Sequence, residues 1–232
     1  LAKPFKNQAE SSWAEFDSDT KKKLNSLKNS SKSIVFLTQT FASPSTQKLI
    51  NEYKNTYSNT NHVVYDSVSE SAALDAYEAK YGSRGVANYD FSLADLIVSI
   101  GADILGDWQG GGFDSMYAKS RIPTNGKMSR HIHFEANMSL TGANADNRFP
   151  VNQNEQKLVL LSIYSKLFNT QVEINISDKL VNVVNDLMKE LLESENPVVV
   201  SGIQDVEYQK LVLDINQKLN SKAFQPQRTI LT

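Results

Sequence analysis

Apolar residues along this chain fall into two kinds of run. Short blocks such as residues 33–38 (Ser-Ile-Val-Phe-Leu-Thr), 95–100 (Asp-Leu-Ile-Val-Ser-Ile) and 197–201 (Pro-Val-Val-Val-Ser) are apolar without alternation. That pattern predicts strands covered on both faces by other layers. Between the blocks lie longer stretches whose apolar residues recur every three or four positions: Leu160, Ile163, Tyr164 and Leu167; Leu180, Val184, Leu187, Met188 and Leu191; Tyr208, Leu211, Val212, Ile215 and Leu219. These predict amphipathic helices over residues 155–168, 178–192 and 205–219.

Turn and cap residues divide the rest. Ser43-Pro44 supplies a cap and a first-turn proline to a helix carrying Leu49, Ile50, Tyr53 and Tyr57 on one face. Residues 61–65 form a short strand, and Ser69 opens a helix that presents Ala73, Ala76 and Tyr77 and stops at Gly82. After the strand at 95–100 comes a glycine-rich loop, 101–112, then a helix over 113–120; further short strands fall at 130–135 and 148–152. Strand and helix alternate with connections too long for hairpins, so right-handed crossovers build a Rossmann-like three-layer α/β/α sandwich on a mostly parallel sheet. Residues 1–32 form a polar lead-in with a short helix over 18–27, residues 33–222 the α/β domain, and residues 223–232 an extended tail or linker to a following domain. The chain starts at Leu1 and is expected to be a piece of a longer protein.

At 232 residues there is enough chain for one sizeable core plus an arm. Lysine and arginine number 24 against 26 acidic residues, a net charge of -2, which gives no field to attract nucleic acid or anionic lipid. No apolar run has the roughly 20 residues that span a bilayer, and residues 1–6 lack the order of a signal peptide. With no cysteine, disulfides, thiolate metal sites, iron–sulfur clusters and cysteine nucleophiles are excluded within these residues.

Candidate chemistry is sparse. The loop at 101–112 follows a parallel strand, where open α/β sheets bind ligands, yet it spells neither a dinucleotide fingerprint nor a P-loop. Asp103 and Asp107 stand where amides would have to receive phosphate, so a mobile or partner-contacting loop is the plainer expectation. In His131-Ile-His133-Phe-Glu135, strand alternation puts two imidazoles and a carboxylate on one face about 6.6 Å apart. Those three can approach one metal ion, although the spacing is long and no fourth ligand is evident; polar residues hydrogen-bonded to a neighbouring loop are the plainer reading. The third histidine, His62, is far from the pair, and no G-x-S-x-G elbow is present. The small-residue segment 141–146 reads as a tight turn joining two strands without a helix.

Residues 88–108 (Asn-Tyr-Asp-Phe-Ser-Leu-Ala-Asp-Leu-Ile-Val-Ser-Ile-Gly-Ala-Asp-Ile-Leu-Gly-Asp-Trp) and 131–146 (His-Ile-His-Phe-Glu-Ala-Asn-Met-Ser-Leu-Thr-Gly-Ala-Asn-Ala-Asp), with Ser43-Pro-Ser-Thr46 after the first strand, carry a resemblance. The chain resembles the molybdopterin oxidoreductase family, and within it the iron–sulfur subunit of bacterial alternative complex III, over about 33–168 and more weakly over 197–219. In catalytic members the strand corresponding to 95–100 ends in a Gly-Ser-Asn-type turn and the next in Asp-Pro-Arg, both against the pterin guanine dinucleotide. Here those positions read Gly101-Ala102-Asp103 and Glu135-Ala136-Asn137, and the family's Pro-Gly-Thr-Asp is replaced by Gln153-Asn154-Glu155-Gln156.

The resemblance implies Gly101, Asp103, Glu135, Thr141 and Asp146 as vestigial cofactor-facing positions and no catalytic residue. It implies a cofactor-free structural domain in a respiratory quinol-oxidising electron-transfer complex, itself an oxidoreductase, with iron–sulfur clusters elsewhere in the parent chain. Its partners would be other domains of that chain and other subunits of the membrane-bound complex, on the periplasmic side of the inner membrane. The competing expectation is a fragment of an active enzyme that binds molybdopterin guanine dinucleotide.

Overall fold

The computed structural model describes residues 2–28, 30–67, 69, 71–123 and 126–230. The chain forms two compact units, Leu1–Val68 and Ser69–Thr232.

The first unit contains β1 (Phe5–Lys6), β2 (Ala9–Glu10), α1 (Trp13–Lys28), β3 (Ile34–Thr38), α2 (Pro44–Thr56) and β4 (Thr60–Val64). The first helix starts five residues earlier than its Leu24/Leu27 spacing predicts, and none of its residues is buried. Ser43 caps α2 through the Thr46 amide, with Pro44 in the first turn. Strands β3 and β4 are parallel and make a sheet of their own, with Val35 opposite Asn61 and Leu37 opposite Val63. Phe36 packs on Tyr53 of α2, so that helix covers one face. The other face is open: Val35 is 59% exposed and Leu37 65%. The expectation that residues 33–38 are covered on both faces therefore fails, because this unit supplies one layer of helix only.

The second unit contains α3 (Ala72–Tyr81), β5 (Val86–Tyr89), β6 (Leu96–Ile100), α4 (Asp114–Ser120), β7 (Arg130–Glu135), α5 (Leu140–Asn144), β8 (Asn147–Pro150), α6 (Gln153–Phe168), α7 (Asp178–Glu193), β9 (Pro197–Ser201), α8 (Val206–Leu219) and β10 (Phe224–Ile230). Four strands form one parallel sheet in the order β8-β7-β6-β9. Strand alternation splits the core in two. Leu96, Val98, Ile100, Ile132, Phe134 and Val199 point into a layer built with α6, α7 and α8. Ile97, Val198 and Val200 point the other way, onto α3, α4, Trp108 and the antiparallel pair β5–β10. This is a Rossmann-like α/β fold with helices on both sides of a parallel sheet.

Residues 224–230, read from sequence as an extended tail, are a strand of this unit: Phe224 lies opposite Tyr89 and is buried. The segment 141–146 is not a helix-free turn, because Ser139 accepts the Gly142 amide and starts the short helix α5. Among the described residues no helix is long and apolar enough to cross a membrane.

Candidate functional site

In the order β8-β7-β6-β9 all strands run parallel, but the order of strand addition switches sides between β6 and β9, so the ligand crevice of such a sheet would open beyond Ile100 and Ser201. Here the chain's own groups narrow it, while Gly101 itself stays exposed. The Gly101 amide bonds to the Phe134 carbonyl at 2.7 Å and the Gly202 amide to the Ile100 carbonyl at 2.9 Å. A Cβ on Gly202 would overlap the Gly101 carbonyl, and one on Gly101 would overlap the Gln156 carboxamide. Gly101 has φ +63°, which a side chain would also oppose. Trp108 Nε1 and Gln209 Nε2 both donate to the Ser201 carbonyl, each at 3.1 Å.

The glycine-rich loop is pinned rather than mobile, because Ile104 is 1% exposed and Trp108 9%. Asp103 points not at solvent but at α5, accepting from the Thr141 amide at 3.0 Å and from its hydroxyl at 2.5 Å. Thr141 Oγ1 accepts in turn from the Leu105 amide at 2.9 Å. The Gly106, Gly110 and Gly111 amides are held by carbonyls of the same loop, and the Gly142 amide by Ser139. Asp103 and Glu135 near the strand end, with the Gly106, Gly110, Gly111 and Gly142 amides already bonded, are a poor fit to a pyrophosphate.

Of the other positions read from sequence, Asp146 lies at the far end of β7. It forms an ion pair with Arg121 at 2.6 Å and accepts the His131 amide at 2.7 Å. The Arg121 hydrogen bond holds its carboxyl below the usual aspartate range. Glu135 closes the carboxyl end of β7, where Arg148 and the Ser139 amide donate to it. Burial pushes its carboxyl up, but the hydrogen bonds from Ser139 and Arg148 win and bring it down to about 2. Gly101 and the Asp103–Thr141 pair thus cluster beyond β6, whereas Asp146 belongs to another place.

Between Asp146 and Glu135 runs a buried polar spine that includes residues the sequence reading passed over. Ser99 on β6 lies opposite His133 on β7. Its hydroxyl bonds to His131 Nε2 at 2.7 Å and to His133 Nδ1. The Tyr117 hydroxyl meets His131 Nδ1 at 3.0 Å, and His133 Nε2 meets Glu135 at 3.0 Å. Burial drives both imidazoles neutral, His131 to about 3. With both neutral, one arrangement serves the three inner links, His131 donating to Ser99, Ser99 to His133 and His133 to Glu135, and the single Tyr117 hydroxyl proton lies between His131 Nδ1 and the Asn144 carbonyl 3.1 Å away. The reverse direction would put a proton on both nitrogens of His133 or turn a bare nitrogen toward a carboxylate, and burial opposes the first as charge repulsion opposes the second.

Tyr117, His131, Ser99, His133 and Glu135 are each no more than 6% exposed. A serine flanked by imidazoles is chemically a nucleophile with its base, yet this one is wholly buried and spends its hydrogen bonds on the two imidazoles. The three residues read as a weak metal site do share a face, but Ser99 occupies the nitrogens that would bind. Among the described residues no group of three or more His, Asp or Glu side chains is placed to hold a metal ion. His62 belongs to the first unit, where it bonds to Thr38 Oγ1 at 2.9 Å. The signal for the partner that sequence reading missed was Ser99 itself, a polar residue in an otherwise apolar strand.

The class that these features define is a parallel-sheet α/β domain with a strand-end crevice narrowed by its own backbone and side chains. No family model matches the chain, and no curated protein matches it. Among solved structures it is similar to the formyltransferase/hydrolase complex from Methylorubrum extorquens in complex with methylofuran. That match has TM-score 0.58 and 17% identity, over 88% of this chain and 54% of that one. Acetylene hydratase from Pelobacter acetylenicus aligns over 94% of this chain and 29% of its own at 11% identity, with a TM-score of 0.45 that is too low to argue from. The first likeness is one of fold, and the chain spans about half the length of that relative and under a third of the second.

Proposed function

We propose that the chain is a non-catalytic, cofactor-free structural domain of a larger assembly. Within that reading, the sequence resemblance points to a subunit of a respiratory quinol-oxidising complex on the periplasmic side of the bacterial inner membrane. The iron–sulfur clusters would lie elsewhere in the parent chain, and electrons would pass beside this domain to reach or leave them.

The observation that carries the scaffold reading is the narrowed crevice. Gly202 on Gly101, Gln156 over Gly101 and Asp103 on Thr141 occupy the strand-end space with protein atoms. A scaffold also needs surfaces for its neighbours, and Met138 at 70% and Leu140 at 58% exposure offer apolar area beside that crevice. The structural relative named as a formyltransferase/hydrolase complex is itself an assembly, which agrees with a subunit role and says nothing of respiration.

Calorimetry with GDP and GMP, the nucleotide half of the missing dinucleotide, tests the cofactor-free part: no heat at millimolar ligand is expected. Micromolar binding that Gly101→Val abolishes would overturn it in favour of a fragment of an active molybdopterin guanine dinucleotide enzyme. Electron paramagnetic resonance of the reduced parent protein tests the respiratory part, with iron–sulfur signals expected and a spectrum without them counting against it.

A further inference from the structure

Helices α6 and α7 are joined by residues 169–177, which form neither helix nor strand. In that connection Val172, Ile174 and Ile176 alternate with Glu173, Asn175 and Ser177, the pattern of an extended segment with one apolar face. The three apolar side chains line a cavity of about 200 Å³, completed by Val181 and Val184 of α7. On the α6 side the lining is Ser162, Ser165 and Lys166.

Ser162 is buried, and its neighbours along the helix, Val159, Leu160 and Ile163, are wholly buried core residues. Serine at that position and at 165 leaves the space that larger side chains would fill. Both hydroxyls already donate, Ser162 to the Leu158 carbonyl at 2.8 Å and Ser165 to the Thr170 carbonyl at 2.5 Å. The lining therefore offers aliphatic surface, two hydroxyl oxygens that can still accept, and one cation. Lys166 is exposed and enters no ion pair among the described residues, whereas Glu173 and Asn175 are exposed as well and lie outside the lining. A cavity of this size exceeds one known to admit a benzene-sized group, and a single ammonium selects against a neutral or cationic head.

We propose that the cleft between α6 and α7 binds a short-chain aliphatic carboxylate, its chain on Val172, Ile174 and Ile176 and its carboxylate on Lys166. The reading is independent of the scaffold role, since the cleft lies on the helix layer rather than at the strand ends. A chain of about six carbons, near the size of a benzene ring that a smaller cavity admits, fits the space.

Titration of the isotope-labelled full chain with hexanoate, hexanol and hexylamine, followed by amide shifts, tests this. Hexanoate is expected to give saturable shifts centred on residues 162–184, hexanol weaker ones and hexylamine none. Lys166→Gln is expected to weaken hexanoate about two- to fivefold, the worth of an exposed ion pair, and to leave hexanol unchanged. Ser165→Leu fills the cleft and is expected to abolish both; Ile174→Trp does so from the connecting segment and serves if the first variant does not fold. The proposal is overturned if hexanoate gives no saturable shift, if hexylamine binds equally well, or if a folded, filled variant still binds hexanoate.

Discussion

The carboxamide of Asn216 in α8 pairs with both backbone groups of Val199 in β9, its Oδ1 accepting the amide at 2.9 Å and its Nδ2 donating to the carbonyl at 2.6 Å. Strand β9 is the last of the sheet, so its outer edge lacks a neighbouring strand. Asn216 is fully buried and takes the place such a strand would have held. Asn216→Leu leaves a buried amide and carbonyl unpaired, at about 1–3 kcal/mol for each group. Urea unfolding should show a loss of about 2–5 kcal/mol; a loss below about 0.5 kcal/mol would mean that water or a rearranged helix replaces the carboxamide.

Asp103 holds the glycine-rich loop to α5 through two hydrogen bonds to Thr141. Replacing it with alanine should cost about 1.5–3 kcal/mol, as for bonds to a charged acceptor, while asparagine, which keeps an acceptor, should cost less. If instead Asp103 guards a nucleotide site by repulsion, Asp103→Asn would gain affinity for GDP, and calorimetry on the same variant separates the two.

The sheet-forming segments of the second unit were legible because their residues obey one period each: three valines in β9, and apolar residues of α7 all on one face. Two features were not. Residues 33–38 read as a buried strand because local sequence records apolarity but not whether a second layer is present, and Val35 and Leu37 are exposed. The spine was half legible: alternation placed His131, His133 and Glu135 on one face, but their partners Ser99 and Tyr117 come from other elements, 32 and 14 residues from His131. Only the parallel register of β6 on β7 brings Ser99 between the imidazoles.

The two tryptophans report on the two units separately. Trp13 is 51% exposed in α1, and Trp108 is 9% exposed, held by the Ser201 carbonyl and packed on Phe113 at 5.2 Å. Iodide should therefore quench about half of the emission, that of Trp13, and Trp13→Phe should leave a blue-shifted band that iodide scarcely touches. If the band of Trp13→Phe quenches as readily as free tryptophan, the loop around Trp108 is open to solvent and the pinned crevice is disproved.

Buried neutral imidazoles tie stability to pH with a definite sign. His131 is lowered from 6.5 to about 3 by burial, then by His133 and Arg121, and His133 is lowered chiefly by burial. In the unfolded chain both protonate near 6.5. As pH falls below that value the unfolded state binds protons that the folded state refuses, so stability falls by about 1.4 kcal/mol per pH unit for His131 and in the same direction for His133. The groups facing the pair, Glu135 and Arg148 at one end, Asp146, Arg121 and Tyr117 at the other and Asp103 nearby, do not reverse this. Glu135, lowered from 4.5 to about 2, adds stability above 4.5 that is lost as pH drops toward 2, which is the same direction. Urea titrations should thus show stability declining from pH 6.5 to 4.5 on the histidines and more steeply below 4.5. In His131→Gln the slope between pH 6.5 and 4.5 should shrink by about one proton's worth, and an unchanged slope would show that this imidazole is not held neutral in the spine.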